Sequence, residues 1–236
     1  MIIPDADTDV VTNFPCLTGI AAARILTDGG GEMERTRLLF VRHGESDPGG
    51  RAAQHRCSGL TPFGVRQAAA LAADLAASEP IDAVLASRSP RAIQTASAVA
   101  EAMGLPVAEE TCDLCEMHPG DAEGLTYAEM VERFGPNYSF VPGAEYFPDW
   151  LPNGVAALRG LAERYRGKTV VCATHNAVVA ATFMAFGRMP HREVETIGTD
   201  NTGITEWFYS LEESDRRAGI WSVARHNDTS HLRMLR

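Results

Sequence analysis

The chain has 236 residues, 45% hydrophobic and 22% charged, which suits a soluble globular protein able to bury one sizeable core. Its net charge of −10 argues against non-specific adhesion to nucleic acid or an anionic membrane surface, and no apolar run approaches the roughly 20 residues of a membrane span. Five cysteines, an odd number scattered along the chain, do not make a disulfide framework and suit a reducing, cytoplasmic setting.

Residues 1–33 differ from the rest of the chain. They carry Asp5, Asp7 and Asp9, a short mixed stretch from Leu17 to Leu26 that could turn into a helix but has no obvious cap, and then Gly29-Gly30-Gly31. An acidic start does not fit a secretory signal, whose first region is basic. We expect a poorly ordered extension here, with Met33 a candidate translation start ahead of a single domain over residues 34–236.

From Arg37 onward strand and helix signals alternate, which argues for an α/β sheet covered on both faces. The first strand is Arg37 to Val41. Thr61-Pro62 opens a helix with a capping hydroxyl and a proline at the first helical position, running to about Ala77 before Pro80. Ile81 to Ala86 reads as a short apolar strand. Ser89-Pro90 repeats the cap-and-proline device and starts a helix that ends near Gly104-Leu105-Pro106. Thr126-x-x-Glu129 is a capping box for a shorter helix. Phe134 to Asn153 reads as a long loop rich in proline, glycine and aromatics, of the kind that forms a lid or binding wall. A helix from Asn153 or Gly154 to Arg166 then feeds the strand Lys168 to Ala173. Asn176 to Phe186 is an Ala-rich helix, and Ile204 to Ser210 and Gly219 to Ala224 are two late strands.

Two of these strands end in the same way. Leu38-Leu39-Phe40-Val41 runs into Arg42-His43-Gly44, and Val170-Val171-Cys172-Ala173 runs into Thr174-His175-Asn176. Ligands of open α/β sheets sit in the crevice outside the strand ends. A neutral imidazole there can act as a nucleophile, and a guanidinium can grip an anion with two hydrogen bonds. A third basic group comes from Arg91, at the second position of the helix begun by Ser89-Pro90, where free backbone N–H groups favour an anion. Arg88, just before the cap, is expected to face solvent. Together these segments suggest one anion pocket with an imidazole on either side. Cys112-x-x-Cys115 with His118 nearby looks like half a metal site, but no second Cys/His pair of suitable spacing follows, so no metal is expected there.

Four ordered segments then carry a resemblance: Arg42-His43-Gly44-Glu45-Ser46, Leu60-Thr61-x-x-Gly64-x-x-Gln67-Ala68, Arg91-Ala92-x-Gln94-Thr95-Ala96 and Thr174-His175-Asn176. Their order resembles that of the histidine phosphatase superfamily, also called phosphoglycerate-mutase-like, from about Leu38 to Asn201. The resemblance implies a three-layer α/β/α sandwich with a mostly parallel central sheet, and a phosphohistidine mechanism without metal or other cofactor. It implies that His43 takes the phosphoryl group, that Arg42, Arg91 and His175 surround it, and that Glu116, in Leu114-Cys115-Glu116-Met117, donates the proton. Ser46, Asn176 and Asn201 join the substrate-binding set, and residues 112–153 become a cap or lid insertion.

Elementary electrostatics agrees with these roles. Each cation close to a phosphate contributes on the order of 4 kcal/mol at 4 Å with an effective dielectric near 20. Neighbouring guanidiniums also depress an imidazole pKa, which keeps His43 in the neutral form that attacks. Glu116 must start protonated to donate, and can activate water afterwards. His55, Arg51 and Arg56 follow the first histidine and are further contact candidates. Gly49, where the mutases compared have an Asn, and the short stretch before Leu60-Thr61 argue against mutase-type contacts. His118 could reach the pocket or simply cap its loop. His191, His226 and His231 are expected at the surface, and Trp207 and Trp221 in packing, with Trp150 open to a recognition role.

The leading expectation is therefore a phosphatase for a small phosphomonoester, with no nucleic-acid or membrane partner and with a homodimer left open. A phosphoglycerate mutase is the rival; it needs more basic residues, and Met117 to Trp150 supplies Arg133 and no lysine. A non-catalytic phosphate-binding or scaffold domain is the alternative of another class, and such a protein should have lost the nucleophile or the acid.

Overall fold

The computed structural model describes residues 35–46, 52, 57–78, 80–136, 140–194, 196–210 and 220–235. The N-terminal extension and the group Arg51, His55 and Arg56 lie outside the described residues.

Strands β1 (Arg35–Arg42), β2 (Ala83–Ala86), β3 (Val107–Glu110), β4 (Thr169–Thr174), β5 (Ile204–Ser210) and β6 (Ile220–Asp228) form one sheet in the order β3-β2-β4-β1-β5-β6. The first four are mutually parallel; β5 and β6 add on antiparallel beside β1. Strand β1 is apolar on both sides because both of its faces are covered. Leu38 and Phe40 pack with α4 (Phe147–Arg164) and α5 (Asn176–Ala185) on one face, while Leu39 and Val41 pack with α1 (Pro62–Ser78) and α2 (Pro90–Met103) on the other. Each layer buries one stripe of its helices, and the three-layer α/β/α sandwich with a mostly parallel sheet results.

One charge cluster sits inside this frame. Glu206 on β5, 4% exposed, accepts from Arg37 Nε of β1 at 2.5 Å and Arg225 Nε of β6 at 2.7 Å. The two guanidiniums staple the antiparallel strands to the parallel half, at a place where an unpaired carboxylate would cost several kcal/mol.

Three expectations need correction. The stretch from Phe134 to Asn153 is not loop throughout, because α4 begins at Phe147 and comes after the short helix α3 (Tyr127–Phe134). Pro148 suits the first turn, and Phe147, Leu151, Val155 and Leu158 recur on one buried face despite Pro152 within the helix. Trp150 packs against that core and lies so close to Gly154 that a Cβ there would meet its ring at 2.8 Å, so it serves packing. His231 and His191 are partly buried rather than superficial: His231 Nε2 lies 2.9 Å from Thr202 Oγ1, and His191 packs on Phe147. Trp207 is buried against Phe183 and Phe186, and Trp221 stacks on Phe186 at 4.1 Å. Strand β3 has no counterpart among the expected elements; it pairs with β2 at the edge of the sheet. No helix among the described residues is long and apolar enough to cross a membrane.

Candidate active site

The parallel register pairs Arg42 with Thr174, so the next residues of β1 and β4, His43 and His175, leave neighbouring strand tips side by side. Their ring centroids are 5.2 Å apart. On the other flank of β4, Ala86 pairs with Ala173, and Ser87 N donates to Ala173 O. The chain then turns directly into α2, which sets Arg91 at its second position between the two rings.

Motif residues around this point are structural braces. Gly44 N donates to Thr95 Oγ1 at 3.0 Å, and Thr95 in turn donates to Arg91 O. Glu45 N donates to Gln67 Oε1, and Thr61, whose hydroxyl caps α1 at Gly64 N, donates to the Glu45 carboxylate. Gln94 Oε1 accepts from Leu60 N. A Cβ on Gly44 would sit 2.7 Å from Gly64 O, so the segment after His43 can lie against α1 only as glycine. These contacts lock the nucleophile candidate to both helices of one face.

The hydrogen bonds also fix the proton positions. Arg91 Nε donates to His43 Nε2 at 3.0 Å; a guanidinium has no acceptor, so Nε2 carries a lone pair and the ring proton sits on Nδ1, donated to Gly44 O at 2.8 Å. By the same logic Arg91 donates to His175 Nδ1 at 3.2 Å, and His175 Nε2–H donates to Ser87 Oγ at 2.8 Å. The Ser87 hydroxyl in turn donates to Cys115 Sγ at 3.6 Å. Burial, reinforced by Arg91, pulls the His43 pKa down to about 3, so the imidazole stays neutral at physiological pH.

Glu116 comes directly after Cys115 and is partly buried. Its carboxylate accepts from Met117 N at 3.1 Å and from Ala177 N at 3.3 Å. Burial nonetheless raises its pKa above the usual carboxylate range, against the lowering pull of those two amides, Arg91 and Arg42. Arg42 donates through Nη1 to Thr199 O, and its Nε is buried with no hydrogen-bond partner among the described residues. Asn176 Oδ1 accepts from Thr199 N and Oγ1, while Asn201 Nδ2 donates to His43 O at 2.9 Å.

A cavity of about 320 Å³ opens at this point, lined by Arg42, His43, Ser46, Arg91, Glu116, His175, Asn176 and Asn201. The structure thus brings together all eight residues of the expected catalytic and substrate-binding set. His118 does not line the cavity: it is exposed, and its Nδ1 accepts from Gly120 N as a loop cap. Arg88 is exposed and donates to Glu110 O. Sequence reasoning missed Ser87, which holds His175 in its tautomer, and Cys57, a buried thiol beside Arg91. Burial would raise that thiol, but hydrogen bonding to Arg91 prevails and lowers it. Only its place just after a strand tip marked Ser87 out; nothing in the sequence marked Cys57.

The chain is similar to known proteins. Residues 38–228 match the model of the histidine phosphatase superfamily, branch 1. The metal-independent phosphoserine phosphatase of Arabidopsis thaliana is 32% identical over 165 residues, 65% of this chain and 69% of that protein. Phosphoglycerate mutase-like protein 4 of the same plant is 26% identical over 85% of this chain and 89% of its own length. A mycobacterial glucosyl-3-phosphoglycerate phosphatase, in its structure with VO3, superposes with a TM-score of 0.66 at 26% identity, covering 81% of this chain and 98% of the other. With a match that begins four residues before the Arg-His-Gly tip and runs past the last cavity residue, this chain belongs to branch 1 of the histidine phosphatase superfamily.

Proposed function

We propose that the protein is a metal-independent phosphatase that hydrolyses a small phosphomonoester through a phosphohistidine on His43. The observation that carries this is the His43 Nε2 lone pair, held unprotonated by an arginine inside a cavity that also contains a protonatable carboxyl. The family membership and the phosphoserine phosphatase relative support the same chemistry.

In the first half-reaction the phosphate is gripped by Arg42 and Arg91 beside the His175 ring, and the buried Arg42 Nε supplies a donor that no described residue uses. His43 Nε2 attacks phosphorus as the bond to the ester oxygen breaks. Glu116, whose protonated form burial favours, gives its proton to that departing oxygen. In the second, the Glu116 carboxylate takes a proton from water, whose oxygen attacks phosphorus and releases inorganic phosphate and neutral His43. The fixed cations stabilise the spread negative charge of the transferring group in both steps.

Hydrolysis is favoured over mutase-type transfer by the cavity's cations. Arg42 and Arg91 are the arginines among its described lining, and no lysine joins them. Arg133, the cation supplied by the cap segment, is spent on Asp121 and on the face of Phe134. A mutase must hold a second anionic group and exclude water. Phosphate release from an aryl phosphate and a panel of phosphorylated metabolites, run with a chelator and beside an assay for 3-phosphoglycerate isomerisation, tests the proposal. Release without isomerisation is expected; isomerisation outpacing release would refute it.

A further inference from the structure

The Cys112-x-x-Cys115 pair has no place in the phosphoryl chemistry, yet it stands against the site. Cys112 is exposed and Cys115 is buried. Their sulfurs are 2.7 Å apart across the short 3₁₀ turn Cys112–Leu114. The turn is pinned at both ends: Thr111 Oγ1 caps it at Asp113 N, and Leu114 O accepts from Thr174 Oγ1 at 2.7 Å, at the tip of β4. Cys115 Sγ accepts from Ser87 Oγ, which also holds the His175 ring, and the next residue along the chain is Glu116. Among the described residues no group of three or more His, Cys, Asp and Glu is placed to hold a metal ion.

We infer that Cys112 and Cys115 form a reversible dithiol switch, oxidised by low-molecular-weight disulfides, that lowers turnover by displacing Glu116 and the Ser87–His175 contact. The inference rests on the catalytic roles proposed above. The exposed Cys112 thiolate attacks one sulfur of the small disulfide, whose S–S bond breaks and releases one small thiol after protonation. Cys115 then loses its proton and attacks Cys112 Sγ, displacing the second small thiol. Two protein thiols are oxidised and one small disulfide is reduced to two thiols.

The geometry needs only a short further approach to the bonding distance of about 2.05 Å, but the turn that makes it cannot slide freely. Cys115 is held between Ser87 and the Thr174-braced carbonyl of Leu114, so its sulfur draws away from Ser87 as the bond forms. Misplacing a catalytic group by 1 Å can cost roughly a hundredfold, and a smaller shift should cost about tenfold. Burial, and after it Cys115, push the Cys112 thiol up to about 11, with Asp113 adding and Arg88 opposing. Little thiolate is present at neutral pH, so oxidation there is slow and quickens as the pH rises.

The test uses the full chain, reduced or treated with excess oxidised glutathione at mildly alkaline pH. Peptide mass spectrometry reads the disulfide, and phosphate release from an aryl phosphate reads kcat. We expect a 112–115 disulfide, a kcat about tenfold lower, and recovery on reduction. Cys112→Ser keeps an acceptor for the Cys115 thiol and lies outside the cavity, so it should keep full activity and lose the response to oxidation. A disulfide formed without loss of kcat, no disulfide at all, or a response that persists in Cys112→Ser would each overturn the switch. An inactive reduced protein would instead overturn the phosphatase proposal, since the mass measurement is independent of turnover.

Discussion

Replacing His43 with alanine should lower phosphate release at least about a thousandfold while leaving phosphate binding largely intact. The imidazole supplies the bond-forming lone pair; His175, the other imidazole of the described lining, has its Nε2 tied to Ser87. Arg42 and Arg91 survive the substitution, so the anion grip survives with them. Removing the ring also frees Arg91 Nε from its contact with Nε2, which gives the phosphate one more donor. Inorganic phosphate or vanadate titrated against the variant separates the two effects. Activity within tenfold of the parent protein would assign the chemistry elsewhere.

Glu116→Gln should divide by leaving group. Glutamine keeps the shape and accepts through one oxygen, but it neither donates an acidic proton nor activates water. For an alkyl phosphate, whose leaving oxygen needs protonation, kcat should fall by about 10²–10⁴. An activated aryl phosphate leaves without that proton, so its first step should survive and the second should stall, giving a burst of phenolate and then slow turnover.

The pH dependence has a definite sign. Because burial raises the Glu116 pKa, the donating form persists above the ordinary carboxylate range and is lost as pH rises through the raised value, so activity falls there. On the acid side, protonation of His43 costs activity only as pH drops toward about 3, because burial and Arg91 hold its pKa that low. The variant should lose the part of the alkaline decline that belongs to Glu116 and keep the part set by ionisation of the substrate. Equal losses for alkyl and aryl esters, with no burst, would remove Glu116 from both proton transfers.

Much of this site is legible in the chain because its parts are strand tips. Leu38 to Val41 and Val170 to Ala173 are apolar runs of the kind that only a sheet covered on both faces needs, and each ends in a histidine. What the sequence could not state was the register. Only the pairing of Arg42 with Thr174 shows that the two tips are neighbours. Strand β3 is hard to read because Val107-Ala108-Glu109-Glu110 has one strong strand former and alternates between partial burial and exposure at the sheet edge. The start of α4 is hidden by Pro148 and Pro152, although Phe147, Leu151 and Val155 already carry helical spacing. Ser87 looks like a turn residue, since its importance lies in a side-chain contact 88 positions away. The cysteine pair is visible as a spacing, but its bearing on Glu116 and His175 depends on how the 3₁₀ turn is tied to β4.

At the centre stands a covalent bond between phosphorus and one ring nitrogen. A single turnover with an aryl phosphate, quenched in alkali within the burst phase and analysed by peptide mass spectrometry, tests it directly. The expected result is one phosphoryl group per chain, on the peptide bearing His43, lost on acid treatment and absent from the His43→Ala variant. Release of phosphate with no labelled peptide at any quench time, or a label on another residue, would contradict it.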